Sequence, residues 1–439
     1  MNEQLPVCVI GAGVSGLTTV KQFLDRDVEF DAFEMGSDIG GNWRYDNDSG
    51  RSPAYASLHI DTSKGRFAYG DLDMPREWPV YLHHTQVIEY LDNYAETFGL
   101  KDHIEFRIRV VSVRPQDNGW EVTTRGLATG KESTKLYRAV IVASGHHWDP
   151  IIPASDGLFE GETMHAHTYR TPYRFIGKDV VVVGIGNTGA DIASELSWHA
   201  KSVTISTRSG AHILPRYLFG RPLDSFSTRL TSRLPLNVQR TVYRMLLYMA
   251  RGSQESYGFP IPDAPILSQH PTVSADVLAL VKDGQVHVRG GISRFTSDEV
   301  IFVDGKRTRA DVVIYATGYR ISFPFLDGDV FASDDNKVKL YKQVVPVDMP
   351  GLFFIGLIQP VGALPPLAEQ QARWVCQLLG GASLPSSGEM RAEVITDAFE
   401  CAERYQDRPR HTIQVDYWPY LDSMRDLCDT YDEAQSNIE

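Results

Sequence analysis

Two short glycine-rich stretches constrain this chain more than anything else in it. "GAGVSG" occupies residues 11–16 and "GIGNTG" residues 184–189, and both fit G-x-G-x-x-G. Each follows an apolar run, "PVCVI" and "DVVVVG", and each opens a segment whose apolar residues recur with helical spacing, "LTTVKQFLDR" and "ADIASELSWHA". A further apolar run follows each, "VEFDAFE" ending at Glu34 and "SVTISTR" ending at Arg208. Strand, tight turn, helix and strand within about 30 residues is the setting in which such a stretch marks dinucleotide binding. The glycines let backbone approach a pyrophosphate, and the helix N-terminus supplies N–H donors and partial positive charge. The expected fold class is therefore α/β, with two Rossmann-like dinucleotide-binding domains. The alternative of one empty, degenerate copy is disfavoured because both stretches match in full.

What ends the second strand separates the two turns. Glu34 can accept hydrogen bonds from ribose hydroxyls and repels a 2′-phosphate, which suits the adenosine half of FAD or NAD. Thr207-Arg208 holds that place in the second unit, and a guanidinium grips a phosphate in a bidentate fork, which suits NADP. FAD is thus expected at the first turn and NADPH at the second. Candidate contacts are Gly11, Ala12, Gly13, Val14, Ser15, Gly16 and Glu34 for the first, and Gly184, Gly186, Asn187, Thr188, Gly189, Thr207 and Arg208 for the second. "GGNWRY" (40–45) adds Gly41, Asn42 and Trp43, whose indole can stack on a flat ring.

The rest of the chain divides around these units. The FAD domain is expected to be discontinuous, residues 1–160 and 321–439, with an NADPH domain over 161–320 between its parts. Residues 105–115, 119–126 and 135–145 read as a strand meander returning to the first sheet. Residues 311–319 and 351–356 read as buried strands, and 366–380 as a helix. The proline-rich region 211–270 reads as an irregular insertion covering the active site; its aromatics Tyr217, Phe219, Tyr257 and Phe259 suit packing better than a substrate path. The last 40 residues are expected to wrap the surface.

The formal net charge is −13, which disfavours nucleic acid and anionic membrane. Cys8, Cys376, Cys401 and Cys428 form no C-x-x-C and fit a reducing cytoplasm. No leader is visible, and the apolar stretch 242–250 is too short for a membrane span, which needs about 20 residues. The expected location is cytoplasmic, the partners a small-molecule substrate and dioxygen, and a homodimer is left open.

These segments together resemble the flavin-containing monooxygenases, within the class B flavoprotein monooxygenases, as a soluble bacterial-type member. The resemblance runs from about residue 5 to about residue 380. Its diagnostic F-x-G-x-x-x-H-x-x-x-(Y/F) is met by Phe159, Gly161, His165 and Tyr169. "SGHHWDP" (144–150), "GIGNTGADIA" (184–193), "STRSG" (206–210), "ATGY" (316–319) and "IGLIQPVGALPPLAEQQARW" (355–374) match too. The resemblance implies that NADPH reduces FAD, that a flavin hydroperoxide forms with dioxygen, and that an amine or sulfide takes one oxygen atom. It adds His59, Asp61, Thr62, Val111, Gly145, Ala316, Thr317, Gly318 and Gln359 as candidate cofactor contacts. Gln359 is a candidate for reaching the flavin ring, with a structural role in its turn close behind.

One departure bears on chemistry. The family has a "TNTSK"-like segment, and here it is "HIDTSK" (59–64), with Asp61 at the Asn position. Asn donates and accepts, whereas an ionised Asp only accepts. Asp61 is the candidate catalytic residue. It raises the expectation of Baeyer–Villiger ketone oxygenation, indole oxygenation, or leakage of NADPH-derived electrons to hydrogen peroxide. A disulfide reductase is disfavoured by the missing C-x-x-C, and a non-catalytic dinucleotide sensor by two intact turns. His146-His147 and His165-x-His167 could be offered as metal ligands, but no carboxylate or thiolate accompanies them, and no metal is expected. The stretch 159–170 is expected to be a joint between the cofactor domains.

Overall fold

The computed structural model describes residues 5–262, 264–328, 330–331, 333–405 and 412–436. The chain resolves into two compact units. Unit 1 comprises residues 1–52, 62–149 and 320–439, and unit 2 comprises 53–61 and 150–319.

In unit 1, strand β1 (Val7–Ile10) leads through the first glycine turn into helix α1 (Val14–Leu24) and on to strand β2 (Phe30–Glu34). β1 is buried along its whole length, as an all-apolar run covered on both faces must be. It is the centre of a five-stranded parallel sheet ordered Leu352–Phe354, Ala139–Val142, β1, β2, Ile104–Phe106. The meander is only partly as expected. Ile108–Gln116, Gly119–Gly126 and Glu132–Tyr137 form an antiparallel sheet of their own, and only Ala139–Val142 returns to the parallel one. Arg138 separates the two and takes its N–H to Pro6 O at 3.0 Å.

Unit 2 repeats the plan. β3 (Asp179–Val183) runs through the second turn into α2 (Asn187–Leu196) and on to β4 (Ser202–Ser206). Its parallel sheet is ordered Val286–Arg289, β4, β3, Val312–Tyr315, Glu162–His165. Here too an antiparallel meander (Ile292–Phe295, Glu299–Phe302, Arg307–Arg309) precedes the returning strand. The edge strand Glu162–His165 occupies the place that Leu352–Phe354 holds in unit 1.

The region 211–270 is less irregular than its prolines suggest. It contains a 16-residue helix, Leu236–Arg251, which leaves Val238, Val242, Met245 and Met249 exposed. Phe259 is buried and Tyr257 packs against the main core of unit 2, while Tyr217 and Phe219 are exposed. At the C-terminal end, helices Ser387–Arg404 and Tyr417–Ser436 are described. The final residues 437–439 of the acidic terminus lie outside the described part. No helix among the described residues is long and apolar enough to cross a membrane.

Candidate cofactor sites

The first turn is shaped by what surrounds its glycines. Gly11 has φ +104°, and a Cβ there would stand 2.8 Å from Ala143 O; one on Gly16 would stand 1.8 Å from Gly11 O. Neither position admits a side chain. Gly13, at the N-cap of α1, differs: its nearest neighbour would be Gly41 Cα at 3.6 Å. Two glycines close the turn against the sheet and the middle one keeps its outer side clear.

Glu34 holds this turn from the end of β2. Its Oε2 accepts the Ala12 N–H at 2.8 Å and its Oε1 the Gly36 N–H at 2.7 Å. Burial pushes the carboxyl up, against the pull of the Gly36 and Ala12 N–H groups. Gly40 donates its N–H to Ala12 O at 3.0 Å, which lays Gly41 against Gly13. Asn42 O accepts the Ser52 hydroxyl at 2.9 Å, and the Trp43 ring meets Phe67 edge-on at 5.6 Å. On α1, Val14 O accepts the Tyr69 hydroxyl at 2.6 Å, and Ser15 abuts Gly356, where a Cβ would lie 2.0 Å from its Oγ. Val111 sits at the bulge of its strand, and Gly145 (φ +71°) has open space where a side chain would be. Thr62 and Gln359 are half-buried in unit 1, and the Gln359 N–H is bonded to Ile413 O at 2.7 Å. Beside Gly145, Ser144 Oγ and both ring nitrogens of His146 are sealed from solvent without partners. Burial, reinforced by His147, holds the His146 imidazole well below its ordinary range.

The second turn reproduces this geometry. Gly184 has φ +110°, and its Cβ would meet Ala316 O at 2.4 Å; that of Gly189 would meet Gly184 O at 2.4 Å. Gly186, the N-cap of α2, has nothing within 4 Å of that position. Asn187 Oδ1 accepts the Val273 N–H at 2.8 Å, and Thr188, next in the first turn of α2, is half-buried. Thr207 Oγ1 accepts the Gly210 N–H at 3.1 Å. Arg208 is exposed, and no carboxylate among the described residues pairs with it. Ala316 and Thr317 follow the returning strand; Thr317 donates its hydroxyl to Ile151 O, and Gly318 turns with φ +81°.

Neither α1 nor α2 carries a side-chain cap on its first N–H groups. Uncapped donors at the mouth of a turn whose middle glycine is clear are what a pyrophosphate requires. The donor sets of both turns fit a dinucleotide.

Unit 2 also gathers side chains that sequence spacing does not connect. Asp61 Oδ1 is shut from solvent with no partner. Asp191, on α2, acts on it with like charge, and Arg216 opposes. Tyr55 donates its hydroxyl to Asp191 Oδ2 at 2.6 Å. Burial, then the Asp191 charge, pushes the Asp61 carboxyl up, and burial raises Asp191 as well. Burial and the neighbouring Asp191 charge thus bias the Asp61 carboxyl toward keeping its proton. His59 lies in the same segment, its Nδ1 2.7 Å from Ser57 O. Tyr55, Asp191 and Arg216 carry no sequence signal for this cluster, since each is remote from the others along the chain.

The motif residues of 159–170 pack and hydrogen-bond within unit 2. Phe159 packs on Phe295 at 5.4 Å, and a Cβ on Gly161 would strike both the Phe159 ring and Asp311 O. His165 Nδ1 accepts the His167 N–H at 3.0 Å, so Nε2 carries the hydrogen that faces Gly318 O at 3.1 Å. Burial, then the neighbouring His167, lowers the His165 imidazole to about 4, which keeps it neutral. Tyr169 is fully buried and donates its hydroxyl to Glu195 Oε2 at 2.5 Å.

A family model described as flavin-binding monooxygenase-like matches residues 4–436. The chain belongs to the flavin-binding monooxygenase family. The monooxygenase is 41% identical to flavin-containing monooxygenase 5 of Rattus norvegicus, over 96% of this chain and 82% of that one. It is 37% identical to flavin-containing monooxygenase 2 of Homo sapiens, over 95% and 81%. These relatives are mammalian and lend no support to a bacterial-type assignment. In fold, the monooxygenase is similar to the S-allyl-L-cysteine S-oxygenase of Allium sativum, with TM-score 0.73 at 24% identity over 97% of this chain and 88% of that one. It is also similar to an open crystal structure of cyclohexanone monooxygenase, with TM-score 0.72 at 19% identity over 99% and 98%.

Proposed function

We propose that this monooxygenase uses NADPH and dioxygen to insert one oxygen atom into a small soft nucleophile, an amine nitrogen or a sulfide sulfur. The carrying observation is the pair of matched turns with opposite endings, Glu34 tied into the first and Arg208 unpaired by any described carboxylate beside the second. Unit 1 takes FAD, with the N–H groups at the start of α1 on its pyrophosphate and Glu34 on a ribose. Unit 2 takes NADPH, with the start of α2 on the pyrophosphate and Arg208 on the 2′-phosphate. FAD, when bound and reduced, supplies the activated oxygen, and the chain supplies binding, orientation and exclusion of water. The four cysteines are free, which fits a cytoplasmic setting. A homodimer is open to measurement by light scattering.

Asp61 favours a second reading, ketone or indole oxygenation, or uncoupled oxidation of NADPH. The relevant experiment offers trimethylamine, a thioether, indole and a simple ketone to the FAD-loaded enzyme, measuring product and peroxide together. N- or S-oxide as the main product supports the first reading. Lactone or ester from the ketone, or peroxide alone, supports the second. A purified protein that is colourless and takes up no FAD would overturn both.

A further inference from the structure

The family pattern places an amide where this chain has Asp61. An amide both donates and accepts, and a lone carboxylate cannot. The surroundings of Asp61 bear on whether it is a lone carboxylate. From α2, Asp191 and Glu195 face the cluster; Arg216 approaches from the stretch before Tyr217, and Asp276 from the start of helix Val277–Lys282. Tyr55 lies on the same short segment as Asp61. Asp191 thus feels the like charge of Glu195 and Asp276, and the Arg216 guanidinium opposes at both Asp61 and Asp191.

The hydrogen bonds are unequal. Asp191 Oδ2 receives the Tyr55 hydroxyl at 2.6 Å, a contact that favours the ionised form of Asp191. Tyr55 is buried and its phenol is held well above its ordinary range by burial and the Asp191 charge, so it remains a donor. Glu195 receives the hydroxyl of Tyr169. Asp61 Oδ1 receives nothing and is closed to water. Two interacting carboxyls beside each other cannot both ionise cheaply, and their titration belongs to the pair. The proton goes to the member with no donor to stabilise its charge.

We propose that Asp61 and Asp191 share one proton that resides on Asp61, so that Asp61 presents a neutral carboxyl able to donate as well as accept, and that Asp191, locked by Tyr55, is the positioning residue that maintains this state. Asp61 then performs the donor role of an amide without being one. It does so only while the pair keeps its proton, so an amide-like chain becomes a carboxylate-like one as pH rises. The role toward a flavin rests on the function proposed above; the shared proton does not.

The test is infrared spectroscopy of the FAD-loaded enzyme between about pH 5 and about pH 9. A buried protonated-carboxyl C=O band is expected near neutral pH, disappearing as pH rises. Asp61→Asn should abolish it. Asp191→Asn should keep the band at low pH and move its loss downward by about one pH unit or more, since coupled carboxyls interact by about that much. Tyr55→Phe, which deletes the donor and leaves both carboxyls, should delay loss of the last proton to higher pH. Flavin absorbance reports that each variant is folded and loaded. In parallel, product formed per NADPH should fall with rising pH in the parent and be flat in Asp61→Asn. No band in the parent at neutral pH, or an unchanged titration in both Asp191→Asn and Tyr55→Phe, would overturn the pair. The oxygenase reading would be untouched by that result, because it stands on FAD uptake and product.

Discussion

The Glu34 carboxylate reaches back across the β1–α1 turn to accept the Ala12 N–H at 2.8 Å while its other oxygen holds the Gly36 N–H. One side chain thus fixes both the first glycine turn and the start of the loop beyond β2. Replacing it by Ala leaves two N–H groups without their acceptor, at a cost of about 1–3 kcal/mol for each. Glu34→Ala should lose FAD by at least tenfold in affinity, read by flavin fluorescence titration, and melt earlier. Parent-like FAD affinity in that variant would count against the role given to Glu34.

The glycines of the second turn should separate into two kinds. Gly189→Ala drives a methyl to 2.4 Å from Gly184 O, and backbone cannot yield cheaply there. A loss of about 1–3 kcal/mol in unfolding free energy is expected, as for overpacking generally. Gly186→Ala meets no atom within 4 Å and has an ordinary φ of −75°, so it should keep the parent melting temperature. It should nevertheless weaken NADP⁺ binding, because the methyl occupies the clear side of the turn. Calorimetric melts paired with NADP⁺ titrations distinguish these outcomes.

Arg208 is exposed and has no described carboxylate to hold it away from a ligand. Arg208→Ala should raise the KM for NADPH roughly tenfold to a hundredfold, the worth of charge-assisted bonds of about 1.5–3 kcal/mol, and leave NADH kinetics nearly unchanged. Equal effects on the two nucleotides would remove the 2′-phosphate assignment.

His165 is pinned as a neutral ring, and its imidazole is held down at about 4 by burial and His167. An unfolded chain takes up that proton near the ordinary value of about 6.5. The unfolded state therefore binds more protons between these values, and stability falls as pH drops through that window. His165→Gln should flatten this slope in melts taken across it. His165→Ala should lower NADPH turnover while FAD stays bound, since its partners Gly318 and His167 lie in unit 2. Loss of FAD from the variant, or unaltered turnover, would contradict this.

Much of the cofactor chemistry was legible in the sequence because its signals are local. A glycine turn flanked by "PVCVI" and a helical repeat defines strand, turn and helix through contacts a few residues apart, and Glu34 and Arg208 follow at the end of the next strand. The helix expected over 366–380 is found at Pro365–Leu379 for the same reason, with Pro at its start and Gly380 at its end. In 211–270 the prolines flank a helix rather than exclude one, because Pro235 sits at the N-cap of Leu236–Arg251, where no backbone N–H is needed.

Other relationships depend on which distant segments the folded chain brings together. Nothing local predicts that Glu162–His165 is the edge of the second parallel sheet, because a parallel partner is chosen by crossover and register rather than by adjacent residues. Nor does spacing predict that Gly356 lies against Ser15. The sequence by itself determined that two glycine-rich strand–turn–helix units exist and which residues end the strand after each, Glu34 and Arg208, since those features reside in consecutive residues. Only the tertiary structure brings the Asp191 charge to bear on Asp61 and pushes that carboxyl up, because a pKa is set by burial and by neighbouring charge wherever along the chain that charge originates.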